Sequence, residues 1–121
     1  MGMYTELVLK AMIKEDSPKI VKDILEFLFN GAEEPKKKPD HEFFTKERWD
    51  IIGRCNSYYH VPFSLSKYSE GYVFSRSDFK NYNSEIESFI DWIKPYIDEP
   101  DGYCIGWTWY EEYDVPTLII L

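Results

Sequence analysis

The chain has 121 residues, of which 44% are hydrophobic and 18% aromatic, and a formal net charge of −8. That length sets the expectation of one domain with one core, and the apolar content excludes a disordered chain although 30% of residues are charged. The excess of acids over bases, 22 against 14, opposes direct contact with nucleic acid phosphates and favours basic partners.

No apolar run approaches the ~20 residues needed to span a bilayer. The opening Met1-Gly2-Met3-Tyr4-Thr5-Glu6 lacks the basic region and apolar core of a signal peptide, and Glu6 stands where a myristoylation signal wants Ser or Thr. A cytoplasmic protein without a membrane partner is therefore expected. Cys55 and Cys104 read as two buried thiols rather than a disulfide. The charge is unevenly spread. From Asn83 onward nine acids (Glu85, Glu87, Asp91, Asp98, Glu99, Asp101, Glu111, Glu112, Asp114) face one base, Lys94, which leaves 13 of the acids and 13 of the bases before them. A solvated acidic face is the plain reading of that excess; a docking surface is the functional one.

In chain order, residues 4–13 alternate with period two, Thr5, Leu7, Leu9, Ala11 and Ile13 against Tyr4, Glu6, Val8, Lys10 and Met12, which predicts a strand. A helix follows, with Ser17 as N-cap, Pro18 at its first position, a stripe of Ile20, Val21, Ile24, Leu25 and Leu28, and a stop at Gly31. Residues 31–42, with two prolines and three consecutive lysines, predict an exposed connection. Phe43, Phe44, Trp49, Ile51 and Ile52 fit a short helix and a strand equally well; we read a helical turn leading into a strand near residues 49–55. Ser69-Glu70-Gly71 marks a hairpin turn between SLSKY and YVFSR.

Ser84 and Glu87 have the spacing of a capping box, and Ile86, Phe89, Ile90 and Ile93 form the stripe of a second helix that ends at Pro95. A terminal hairpin closes the series. In its first strand Tyr103, Ile105, Trp107 and Trp109 share one face and Cys104, Gly106, Thr108 and Tyr110 the other, and Glu111 to Asp114 turn the chain. Leu118 to Leu121 are apolar on both faces, the pattern of an interior strand covered on both sides. The expected fold is α+β: two helices packed on one face of a mainly antiparallel β-sheet of about five to six strands.

No cofactor is expected. The inventory for a zinc site is Cys55, Cys104, His41 and His60, but the spacing is not that of such sites, and a Cys55 nucleophile with a His60 base faces opposite ways along a strand. The acids Asp98, Glu99 and Asp101 on one side and Glu111, Glu112 and Asp114 on the other flank eight or so strand residues, which separates them by roughly 25 Å. They cannot share one ion or flank one scissile bond, but they can mark two ends of one negative edge. Arg48, Arg54, Tyr58, Tyr59, His60, Arg76 and Lys80 interleave bases with rings in mid-chain, the composition of an anion or nucleotide pocket, or of structural ion pairs.

The stretches ERWDIIGRCNSYYHVP and SRSDFKNYNSEIESFIDWIKPYI resemble those of small acidic proteins of tailed phages and prophages. The resemblance carries over no functional residue. It implies a context: accessory factors that bind and block host machinery, including defence complexes with basic nucleic-acid channels.

Two functions are therefore expected in competition. One is a non-enzymatic binding protein that presents Asp98, Glu99, Asp101, Tyr110, Glu111, Glu112, Tyr113 and Asp114 to a host protein with a basic surface. A homo-oligomer is the other use of the same rings. The second function is a small-ligand or nucleotide binder, with or without enzymatic activity, built on the central Arg, Tyr and His group.

Overall fold

A computed structural model describes residues 3–54 and 66–121. Five strands and two helices follow in the order β1 (Thr5–Met12), α1 (Lys19–Asn30), β2 (Lys67–Ser69), β3 (Tyr72–Phe79), α2 (Glu85–Ile93), β4 (Cys104–Tyr110) and β5 (Thr117–Ile120). The strands form one antiparallel sheet in the order β2-β3-β1-β4-β5. This is the expected α+β class, with five strands.

The period-two pattern of β1 decides which side is covered. Leu7, Leu9 and Ala11 pair with Ser77, Ser75 and Val73 on β3, and this face packs under the stripes of α1 (Val21, Ile24, Leu25, Leu28) and α2 (Ile86, Phe89, Ile93) in one core. Phe43 is the hub of an aromatic cluster on α2: its ring lies 5.3 Å from Phe89, 5.8 Å from Trp49 and 6.0 Å from Trp92, and Phe29 of α1 meets Phe89 at 5.9 Å. Aromatic pairs at such spacings add attraction beyond the area they bury.

Residues 49–54 are not a strand. Short 3-10 turns run over Glu42–Thr45 and Trp49–Ile51 and a further turn reaches Arg54, while Cys55 lies outside the described residues. Side chains from β3 and from the residue before β2 occupy the acceptors that a ladder would need: Ser77 Oγ donates to Ile52 O at 2.8 Å, and Ser66 Oγ donates to Gly53 O at 2.6 Å. Gly53 sits so close to α1 that a Cβ there would come 2.5 Å from the Phe29 ring and 2.7 Å from Leu28 O. The two inward serines of β3 thus seat this segment, Ser77 directly and Ser75 through its 2.7 Å bond to Ser66, rather than fill the core.

Both predicted helix starts are built differently. Ser17 does not cap the helix: its hydroxyl is buried without a hydrogen-bond partner among the described residues, and Pro18 O accepts the first helical N–H groups, from Val21 at 3.0 Å and Lys22 at 3.3 Å. Ser84 has a left-handed backbone (φ 58°) and its side chain does not cap. Asn81 takes that role; its Oδ1 accepts from Ile86 N at 2.9 Å while its Nδ2 donates to Glu87 at 2.7 Å. Gly31, by contrast, closes α1 in the left-handed conformation at φ 74°, as expected.

The final strand is an edge strand, not an interior one. Among the described residues β5 pairs with β4 alone; Ile119 is buried, whereas Leu118 and Ile120 are exposed. The face assignment along β4 also changes at a bulge between Cys104 and Gly106, and Cys104 at the start of the strand is exposed rather than buried. Ile105 turns into the core at 0% exposure, while Trp107, opposite Val8, and Trp109, opposite Glu6, lie on the other side of the sheet. Gly106 makes this crossing feasible: at φ 149°, a Cβ there would stand 1.9 Å from Val8 O.

Candidate protein-binding surface

The register places Glu6, Val8, Lys10, Met12, Tyr72, Phe74, Arg76, Asp78, Trp107, Trp109, Leu118 and Ile120 on the sheet face away from both helices. Six of them are large apolar residues exposed by more than a third: Met12 37%, Trp109 38%, Tyr72 40%, Phe74 43%, Ile120 44% and Leu118 58%. Singly such exposure is ordinary. Gathered on one side of a sheet, with no layer among the described residues covering them, they form an apolar surface.

A polar centre sits within it. Arg76 donates to Glu6 Oε2 from Nε at 3.0 Å and from Nη2 at 2.7 Å, and from Nη1 to Asp78 Oδ2 at 2.8 Å. Glu6 Oε1 accepts the Trp107 indole N–H at 3.1 Å, which fixes that ring on β4 to the next strand. Asp78 is 1% exposed, and its burial raises its carboxyl above the ordinary value, an effect that the Arg76 hydrogen bond and charge only partly offset and that Glu6 reinforces. Burial alone would lower the Arg76 guanidinium, but its bonds to Asp78 and Glu6 prevail and hold it above its usual value. Arg76 is thereby committed within the protein, a poor hook for a foreign anion.

The predicted acids flank this face. Glu111, Glu112, Tyr113 and Asp114 are exposed in the β4–β5 turn, and Asp98 and Asp101 are exposed, with Glu99 half-buried, in the loop before β4. The structure therefore puts the two clusters at opposite ends of β4. Glu111 is also a clasp: its Oε1 accepts from Tyr4 N at 2.9 Å and its own N–H donates to Tyr4 O at 3.2 Å. Trp109 Nε1 donates to Tyr113 O at 2.8 Å, and the Tyr113 ring meets Tyr110 at 5.3 Å. Tyr110 pairs with Thr5 and so faces the helix side; there it lines a cavity of about 500 Å³ with Tyr82, Asn81 and Thr117. Desolvation first, then the charges of Glu112 and Glu111, raise its phenol above the usual value.

The alternative cluster is divided among separate partners. Arg48 lies over the Tyr82 ring at 5.4 Å, Arg54 over Phe27 at 5.2 Å and Lys80 over Tyr4 at 5.4 Å, while Arg76 is in the ion centre. Tyr58, Tyr59 and His60 lie outside the described residues. His41 Nδ1 accepts from Phe43 N at 3.0 Å, so its Nε2 carries the proton toward Asp91 at 2.9 Å, which ties the connection to α2. Among the described residues no three His, Cys, Asp or Glu side chains are grouped to hold a metal, and no helix is long and apolar enough to cross a membrane.

Sequence reasoning missed the outer face itself. Tyr72, Phe74, Met12, Leu118 and Ile120 were each assignable to a strand, but the alternation alone could not tell the covered side from the open one. Compared with protein-family models, curated proteins and solved structures, the chain has no match.

Proposed function

We propose that this is a non-enzymatic binding protein that docks its uncovered sheet face on a protein with a basic surface. The phage resemblance makes a host nucleic-acid-binding or defence complex the partner class, with inhibition as the outcome. The observation that carries the reading is the open apolar face, with six large side chains each more than a third exposed and acid clusters beyond both ends of β4. Rings at the centre of an interface supply most of the affinity when water is displaced from them, and charges at its rim steer association more than they strengthen it. Trp109 and Phe74 are the anchors in this reading; Glu112, Asp114, Asp98 and Asp101 are the steering charges.

The test begins with affinity capture from the native host and identification of the bound protein by mass spectrometry, followed by kinetics with that purified partner. Trp109→Ala with Phe74→Ala is expected to weaken binding by roughly 30-fold or more, chiefly through faster dissociation. Lysine at positions 98, 101, 112 and 114 is expected to slow association and flatten its dependence on salt. Binding that survives both sets of changes unaltered rules the reading out.

A further inference from the structure

The two edges of the sheet are unlike. β2 is a three-residue strand, KYS, whose Lys67 and Ser69 are exposed, and a short edge carrying a lysine resists pairing with another chain. β5, TLII, has no charge, no bulge of its own and no proline within it. Its hydrogen-bonding groups alternate. Leu121 donates to Tyr103 O at 3.0 Å and accepts from Gly102 N at 2.7 Å, so residues two apart, Ile119 and Thr117, also turn toward β4, and Leu118 and Ile120 turn their N–H and C=O groups outward. Beside this edge, on the helix side, runs a groove of about 460 Å³ lined by Ile86, Ile90, Lys94, Thr117 and Ile119.

We propose that β5 receives an extended segment of the basic partner as a sixth strand, apolar over about four residues and basic at both ends. The proposal rests on the binding reading above and adds to it where and how the partner is held. Main-chain bonds to Leu118 and Ile120 supply the pairing, and every second side chain of the incoming strand enters the groove against α2 while the others extend the outer face. Charge selects the occupant. An antiparallel β5–β5 dimer would bring Asp98 and Asp101 of one copy beside Glu112 and Asp114 of the other at both ends, acid against acid. A segment with basic flanks meets opposite charge at both ends instead.

The test uses the full chain and the peptide acetyl-Lys-Lys-Val-Ile-Val-Ile-Lys-Lys-amide. On binding, amide exchange is expected to slow at Leu118 and Ile120. Ile120→Pro, which deletes one outward N–H and no bond to β4, is expected to weaken binding about 10-fold, whereas Ile120→Ala, which keeps that N–H, weakens it by much less. The same peptide N-methylated at alternate residues is expected to lose binding to the unaltered protein, which covers the case in which the proline variant misfolds.

Equal binding to the Ile120→Pro and unaltered proteins, or of the methylated and plain peptides, overturns strand addition and leaves the sheet-face reading standing. No binding of the lysine-flanked peptide overturns strand addition as well, the sheet face then being judged by its own ring and charge variants. Equal binding of a glutamate-flanked peptide refutes the charge selection. A dimer in sedimentation that Ile120→Pro dissolves makes a second copy the occupant and overturns the proposal.

Discussion

Gly106→Ala tests the joint on which the outer face depends. At φ 149° the added Cβ would lie 1.9 Å from Val8 O, 2.8 Å from Val8 C and 3.1 Å from Leu9 Cα, all main-chain atoms at the centre of the sheet. No rotamer change relieves such a contact, so β1 and β4 must part by an ångström or more. That weakens the ladder where Leu9 pairs with Gly106 and Val8 with Trp107. Two backbone bonds at about 1 kcal/mol each, with 1–3 kcal/mol for the backbone conformation, total about 3–5 kcal/mol. At this chain length that corresponds to a fall in Tm of about 12–20 °C. Gly102→Ala is the matched control: its φ is 83° but no atom lies within 4 Å of the new Cβ, so only the conformational cost of about 1 kcal/mol remains. Calorimetry of both variants separates the two contributions. A Gly106→Ala loss no greater than that of Gly102→Ala would show that the strands are not in fact this close.

Other variants probe the buried polar groups. Glu85 is 0% exposed and accepts from Asn83 N at 3.0 Å and Arg48 N at 3.3 Å, so Glu85→Ala is expected to cost about 2–4 kcal/mol by urea unfolding and Glu85→Gln, which keeps an acceptor, about half of that. Equal losses would mean that the acceptor role is not what holds α2 to the 3-10 turn. For Asp78 the sign follows from its raised folded-state carboxyl: the native state holds that proton more tightly than the unfolded chain. Its contribution is therefore fully present below the ordinary value of 3.8 and is lost as pH rises through the folded-state value. Stability of the native protein relative to Asp78→Asn should accordingly decline as pH climbs from 3.8, measured by urea midpoints across that window; a relative stability that rises with pH refutes the sign.

What the sequence made legible is what depends on one element at a time. The alternation of residues 4–13, the stripe Val21, Ile24, Leu25, Leu28, the Glu70-Gly71 turn and the Ile86, Phe89, Ile93 stripe each specify a strand, helix or hairpin where the structure has one. What escaped depends on two elements meeting. Ser77 and Ser75 look like solvent-facing residues of β3 until Ile52 accepts from the first and Ser66 meets the second. The capping box at Ser84 has the right spacing, but Asn81, three residues earlier, reaches the helix N–H groups first. The Ile105 to Trp109 alternation breaks at a bulge beside Gly106, and the atom that leaves room for no side chain there, the carbonyl oxygen of Val8, lies on another strand.

The same distinction governs the candidate surface. The separation of the acids to the two ends of β4 follows from strand rise alone and was readable. Their relation to the apolar face was not, because it needs the strand order: only with β5 at the edge and both helices on the opposite side do Leu118 and Ile120 become exposed rather than core. The strand order also gives the charge a second task. On the proposed reading, a net −8 chain with acids at both ends of its β5 edge would repel copies of itself where its apolar residues would otherwise associate. Acidic ends and an open face are therefore complementary parts of one arrangement. On the same reading, the repulsion that disfavours self-association falls away for a partner of opposite charge, so the residues that would keep the face clear would also select what covers it.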